Sequence, residues 1–83
     1  MALYFLEYDL IEQENNDALC TALQNFDAHR HLLSAWSFHY APSGASIPLR
    51  DHFRQFMDED DRIVVSEIVD WASINTLAVP NRI

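Results

Sequence analysis

The clearest signal along this chain is a two-residue alternation near its start. Over residues 3–10, Tyr4, Leu6, Tyr8 and Leu10 fall on one side, while Leu3, Phe5, Glu7 and Asp9 fall on the other. A period of two is that of a β-strand with one face in a core. The second side begins apolar and ends acidic, so it is expected to be covered early and open at its carboxyl end. Residues 11–14 read as a polar loop. Asn15 or Asn16 then predicts the cap of a helix of about a dozen residues, because a short polar side chain can bond the free N–H groups of the first turn. Leu19, Ala22, Leu23 and Phe26 recur at helical spacing and define its one buried stripe. Asp27 to Arg30 end it.

Residues 31–40 predict a second strand. Leu32, Ser34, Trp36, Phe38 and Tyr40 share one face, and His31, Leu33, Ala35, Ser37 and His39 the other. Ten extended residues span roughly 33 Å, which is long for a small domain. The strand is therefore expected to bend, bulge or split in two. Residues 41–46 (APSGAS) carry the only glycine, Gly44, and are the strongest turn signal. Ser46 suits a helix cap and Pro48 a first helical turn. The second helix is predicted to run to about Met57, with Leu49, Phe53, Phe56 and Met57 on its apolar face and Arg50 and Arg54 one turn apart on another. The acids Asp58 to Asp61 oppose the helix dipole and stop it. Residues 62–69, RIVVSEIV, are rich in β-branched side chains and predict a third strand. The tail holds Trp71, Ile74, Leu77 and Val79, too apolar to hang free. Residues 71–83 are expected to pack on the domain or on a dimer partner, and Pro80 argues against a central strand.

This order predicts a single α+β domain over residues 1–83. It fits a ferredoxin-like βαββαβ sandwich, an antiparallel sheet with two helices on one face. The other sheet face would be bare, with Trp36, Phe38 or Leu33 exposed on it. A second sheet stacked there, and hence a homodimer, is the expected remedy. A chain this short buries only roughly 60–65% of its unfolded surface, which also favours association.

Charge changes the picture of partners. Thirteen acidic residues face five basic ones, all arginine, for a net charge of −8. Such a surface repels phosphate backbones, so RNA or DNA binding requires a local basic patch or a bridging metal. A basic protein is the better-matched partner for the surface as a whole. Cys20 is the only cysteine, so it forms no internal disulfide and reads as a small buried apolar group in a reducing compartment. The opening MALYFLEYDL is too short to span a membrane, carries Glu7 and Asp9, and has no basic lead. No membrane association is expected, and the location is expected to be cytoplasmic.

The candidate chemistry is sparse. Asp9 closes the first strand on the same side as Glu7, and a carboxylate at a strand end can bind a hard cation such as Mg²⁺ or Mn²⁺. One carboxylate is a poor site, and two copies related by a dimer axis would make a better one. The run Asp58 to Asp61 lacks calcium-loop spacing and reads as a solvated loop. His29 and His31 flank Arg30 as an H-x-H pair that could reach a metal or a phosphate, but no third ligand stands at recognisable spacing. His39 and His52 stand alone, and Ser34 and Ser37 lack a nucleophile-elbow context. Arg50 and Arg54 could clamp a phosphate, although Arg54 could instead pair with Asp58 one turn on.

Several segments together resemble a known group. Tyr4-Phe5-Leu6-Glu7-Tyr8-Asp9-Leu10 looks like the opening of the small CRISPR-adaptation subunit called Cas-two, and of the related VapD-type and SinR-like small proteins. Ser34-Ala35-Trp36-Ser37-Phe38 is similar to their second-strand segment, and Asp61-Arg62-Ile63-Val64-Val65 to the strand after their second helix. Leu49-Arg50-Asp51-His52-Phe53 and Ser66-Glu67-Ile68 with Trp71-Ala72-Ser73 bring it nearest the SinR-like branch. The resemblance covers residues 2–73. It implies a ferredoxin-like homodimer in which Asp9, paired across the two-fold, holds a divalent metal for phosphodiester hydrolysis. It places Ser34 and Phe38 near that cleft. Two features depart from the family: the first helix carries Asp17 and Asp27 and no base, and the last strand that crosses the family dimer is short or absent. Two functions are therefore expected. One is a metal-dependent endonuclease with Asp9 as ligand and Arg30, Arg50 or Arg54 as phosphate contacts. The other is a non-catalytic dimeric module of a toxin–antitoxin or defence system.

Overall fold

The computed structural model describes residues 1–11 and 17–80. Its elements run β1 (Ala2–Asp9), α1 (Asp17–Gln24), β2 (His29–Leu32), β3 (Ala35–Tyr40), α2 (Ser46–Arg54) and β4 (Arg62–Ile68). The four strands form one antiparallel sheet in the order β2-β3-β1-β4, with β1 paired on both sides. This is the ferredoxin-like α+β arrangement, with both helices on one face.

The alternation of β1 sets the layers. Tyr4, Leu6 and Tyr8 are buried under the helices with Leu19, Ala22 and Leu23 of α1 and Leu49 and Phe53 of α2. Register pairs Tyr4 with Phe38 and Leu6 with Trp36, so those two aromatics join the same core. Phe26, Phe38 and Phe53 meet with ring centroids 5.0–5.5 Å apart. The expectation that Trp36 or Phe38 would lie on the bare face is thus corrected: both point at the helices. Leu33 is exposed, but at a hairpin tip rather than on a sheet face.

The length of the 31–40 segment is resolved by a hairpin, one of the outcomes it predicts. Residues 31–40 are not one strand but the end of β2 and all of β3, joined by a turn at Leu33 and Ser34, with a register shift between Arg30 and Leu32. A single 31–40 strand would have had no partner for its first half. Folding back lets β2 pair with β3 and makes β2 begin at His29.

The helix ends also differ from expectation. The proposed Asn15 or Asn16 cap lies outside the described residues. At its other end α1 closes through Ala28 N–H donating to Leu23 O at 3.2 Å and Asp27 N–H donating to Gln24 O at 3.0 Å, with Asp27 at φ 55°. Aspartate is one of the few non-glycine residues that accept this left-handed position. Ser46 is the first residue of α2 and not its cap; Ala45 is, without a side-chain cap bond. Ala45 N–H donates to the Tyr4 hydroxyl at 3.0 Å, and that hydroxyl donates to Pro42 O at 2.6 Å. From β4, Glu67 accepts from the Ser43 hydroxyl and from Gly44 N–H, both at 2.6 Å. These two bonds hold its carboxyl below the usual carboxylate range.

After β4 the chain crosses the sheet face opposite the helices. Trp71, Thr76 and Pro80 share a groove with Phe5, His31 and Ala35, Ile74 stands exposed at its rim, and Leu77 N–H donates to His31 O at 3.0 Å. This strap covers much of the face expected to be bare. No helix among the described residues is long and apolar enough to cross a membrane.

Tyr4→Phe removes the hydroxyl shared by Pro42 and Ala45 and leaves a buried N–H unpaired. The expected loss is about 1–3 kcal/mol, seen as a lower urea midpoint with an unchanged slope.

Candidate functional site

Asp9 is the last residue of β1. Its position in the alternation turns it away from the helices, and the β1–β4 register sets Arg62 directly across from it. The Arg62 guanidinium lies 3.9 Å from the Asp9 carboxylate, and both side chains are about three-quarters exposed. At that distance and exposure the pair is weak and free to separate.

The groove beside Asp9 has a volume of about 340 Å³ and is bounded by Glu7, Ser34, Ala35, Arg62 and Val64. A second groove of about 440 Å³ runs past Asp9 on the side of Arg30, Leu33 and Ser34. Asp9, Ser34, Arg30 and Arg62 thus gather at one end of the sheet. They come from three strands and a turn, brought together because β1 sits between β3 and β4. Ser34 is placed by its own carbonyl, which accepts the Tyr8 N–H at 3.0 Å.

Arg30 is only partly available. Its Nε and Nη2 donate to Leu33 O at 3.0 and 2.6 Å, and its guanidinium lies 5.5 Å from the centre of the Trp36 ring. It is fastened to the β2–β3 turn as a structural brace. Arg50 pairs with Asp51 at 2.9 Å and stands on α2 with Arg54; neither borders the two grooves. The expected Arg54–Asp58 pair is not among the ion pairs of the described residues. The helix ends at Arg54, so Asp58 does not occupy the next helical turn. Phe38 is fully buried in the core, so the cleft position implied by the resemblance is corrected.

The acidic run has a structural task. Asp61 accepts the Ile11 N–H at 2.8 Å through one oxygen and the Asp58 N–H at 2.9 Å through the other. It ties the loop after β1 to the entry of β4, while Asp58, Glu59 and Asp60 stay exposed. Among the described residues no three His, Cys, Asp or Glu side chains cluster closely enough to hold a metal ion. Among the described residues, the carboxylates beside this groove are those of Asp9 and Glu7, and Arg62 competes for Asp9.

Sequence reasoning missed Arg62 as a site residue. The signal was present: in a βαββαβ sheet the last strand enters antiparallel beside the end of the first, which sets the first residue of RIVVSEIV against Asp9.

No protein-family model matches this sequence. Among solved structures, the crystal structure of a hypothetical protein TT1823 from Thermus thermophilus is similar, with a TM-score of 0.68 and 21% identity. The match covers 98% of this chain and 95% of that one, and it shows the fold.

Because Asp9 and Arg62 are exposed and loosely paired, Asp9→Asn and Arg62→Ala should each change stability by no more than about 0.5 kcal/mol. Chemical denaturation of the two variants checks this, and it separates any functional loss from unfolding.

Proposed function

We propose that this chain works as a homodimer of the Cas-two and VapD-like kind. The Asp9 carboxylates of two copies would face each other across a shared groove and hold Mg²⁺ or Mn²⁺ for phosphodiester hydrolysis of RNA or DNA. The observation that carries this reading is Asp9 itself, an exposed carboxylate at the end of the central strand, beside a groove and 3.9 Å from a guanidinium. Mg²⁺ is commonly held by one or two carboxylates, with water and substrate phosphates completing its shell. A two-fold pair of Asp9 side chains would supply two carboxylates from opposite sides. Bound there, the metal would polarise a phosphoryl oxygen and lower the pKa of a bound water.

The chain's own residues have separate tasks in this reading. Arg62 leaves Asp9 to the metal and turns to the phosphate, which a guanidinium grips through two N–H groups. Ser34 lines the same groove and offers a hydroxyl. The strap supports the second copy: Ile74, Leu77 and Val79 on its outer side, with Leu32 beside it, are each more than half exposed. Such a patch favours burial against another subunit. The lone cysteine suits a cytoplasmic setting.

A second reading is a non-catalytic dimeric module that binds a basic protein in a toxin–antitoxin or defence setting. The net charge of −8 and the internal engagement of Arg30 and Arg50 favour it. Both leave little positive charge to hold a nucleic-acid backbone.

The two are separated by incubating labelled RNA and DNA with and without Mg²⁺ or Mn²⁺. On the first reading the wild type cleaves only with metal, and Asp9→Asn falls to the metal-free background while still sedimenting as a dimer. Unchanged metal-dependent cleavage by that variant would sink the Asp9 assignment. An inert wild type that binds a basic protein would favour the second reading.

A further inference from the structure

The two histidines that flank Arg30 have a common task, which is to hold the C-terminal strap. His29 Nδ1 donates to Val79 O at 3.2 Å, and the His31 carbonyl accepts the Leu77 N–H at 3.0 Å. Between Asp70 and Pro80 the strap forms neither helix nor strand, and its outer side is open to solvent at Ile74 and Leu77. It is a long segment on few anchors, which places it at the low end of local stability.

Beneath it lies a cavity of about 290 Å³ between the sheet and the strap, and the His31 ring forms part of its wall. That ring is 5% exposed and packs with its centroid 4.7 Å from that of Phe5. Its Nδ1 is buried and has no hydrogen-bond partner. Closing the strap therefore strips a ring nitrogen of water and gives it nothing in return. An imidazolium fares worse, because both ring nitrogens must then donate and one has no acceptor. Opening the strap returns that nitrogen to water.

We propose that the strap is a pH-sensitive latch, closed over the sheet face while His31 is neutral and released when His31 takes up a proton.

The groups around the ring set the direction. Burial is the largest effect on the ring and favours its neutral form, while the nearby His29 backbone and the Glu7 carboxylate on β1 act the other way. From β3, Ala35 lines the cavity, and from the strap Trp71, Ile74, Thr76 and Pro80 do, none of them titratable. The pKa of His31 is thus lowered from the ordinary 6.5 while the strap is closed. Closure is fully favoured above that ordinary value and weakens as pH falls below it, until the closed-state pKa is passed. His29 reaches the strap through its bond to Val79 O, outside the cavity that holds the His31 ring. The latch does not depend on the metal or on the nuclease reading.

Amide hydrogen exchange on the full chain tests it, with the Leu77 N–H reporting the strap and the β1 amides reporting the fold, from about pH 7.5 to about pH 5. The Leu77 protection factor should fall by up to about tenfold per pH unit below the ordinary histidine value while β1 stays protected. In His31→Phe, which keeps a ring beside Phe5 without a titratable group, Leu77 should stay protected across the range. His31→Leu serves the same purpose if the larger ring prevents folding. A flat Leu77 profile in the wild type, an unaltered profile in both variants, or loss of β1 protection at the same pH would each overturn the latch.

Discussion

Strand β1 has no free edge, and the rest of the molecule is arranged around that constraint. Its backbone is paired to β3 on one side and β4 on the other. A one-residue slip in either ladder would turn Tyr4, Leu6 and Tyr8 out of the core and drive Glu7 and Asp9 into it. The cost of burying two carboxylates holds the register. The same register brings Phe38 and Trp36 under the helices and Arg62 beside Asp9. Tyr4 then extends the strand's influence to α2, because its hydroxyl accepts the N–H of Ala45, the cap residue, and donates to Pro42 O.

The use of arginine shapes what the surface can do. Among the described residues, Arg30 braces a turn and Arg50 pairs with its own neighbour, while Arg62 meets Asp9 only at 3.9 Å. The acids are also divided by task. Asp61 and Glu67 tie loops to the sheet through backbone N–H groups, whereas among the described residues Asp9 makes no comparable bond. The end of β1 is therefore a place where a carboxylate and a guanidinium stand together without a structural task that outweighs a ligand.

The second sheet face shows how a small domain can meet its burial deficit in two ways. A sheet covered on one side requires either a partner or its own chain on the other. Here Trp71 and Pro80 take part of that role, and Leu3, Ala35 and Ser37 are buried as a result of the covered face. The cover is itself apolar on its outer side at Leu77 and Val79. The strap is anchored on β2 through the His29 ring and the His31 backbone carbonyl.

The element order, the core stripe of each helix and the acidic carboxyl end of β1 were legible in the sequence, because periods of two and 3.6 are local consequences of backbone geometry. So was the strength of the turn around Gly44. The hairpin at Leu33 and Ser34 was legible only as one of several outcomes, since no glycine, proline or asparagine marks it. The strand order implied Arg62 beside Asp9 and the apolar tail implied packing, but the burial of His31 and the face the strap covers were decided by the tertiary structure. Each depends on which strands lie side by side, and strand adjacency joins residues far apart in the chain through contacts that no local pattern encodes.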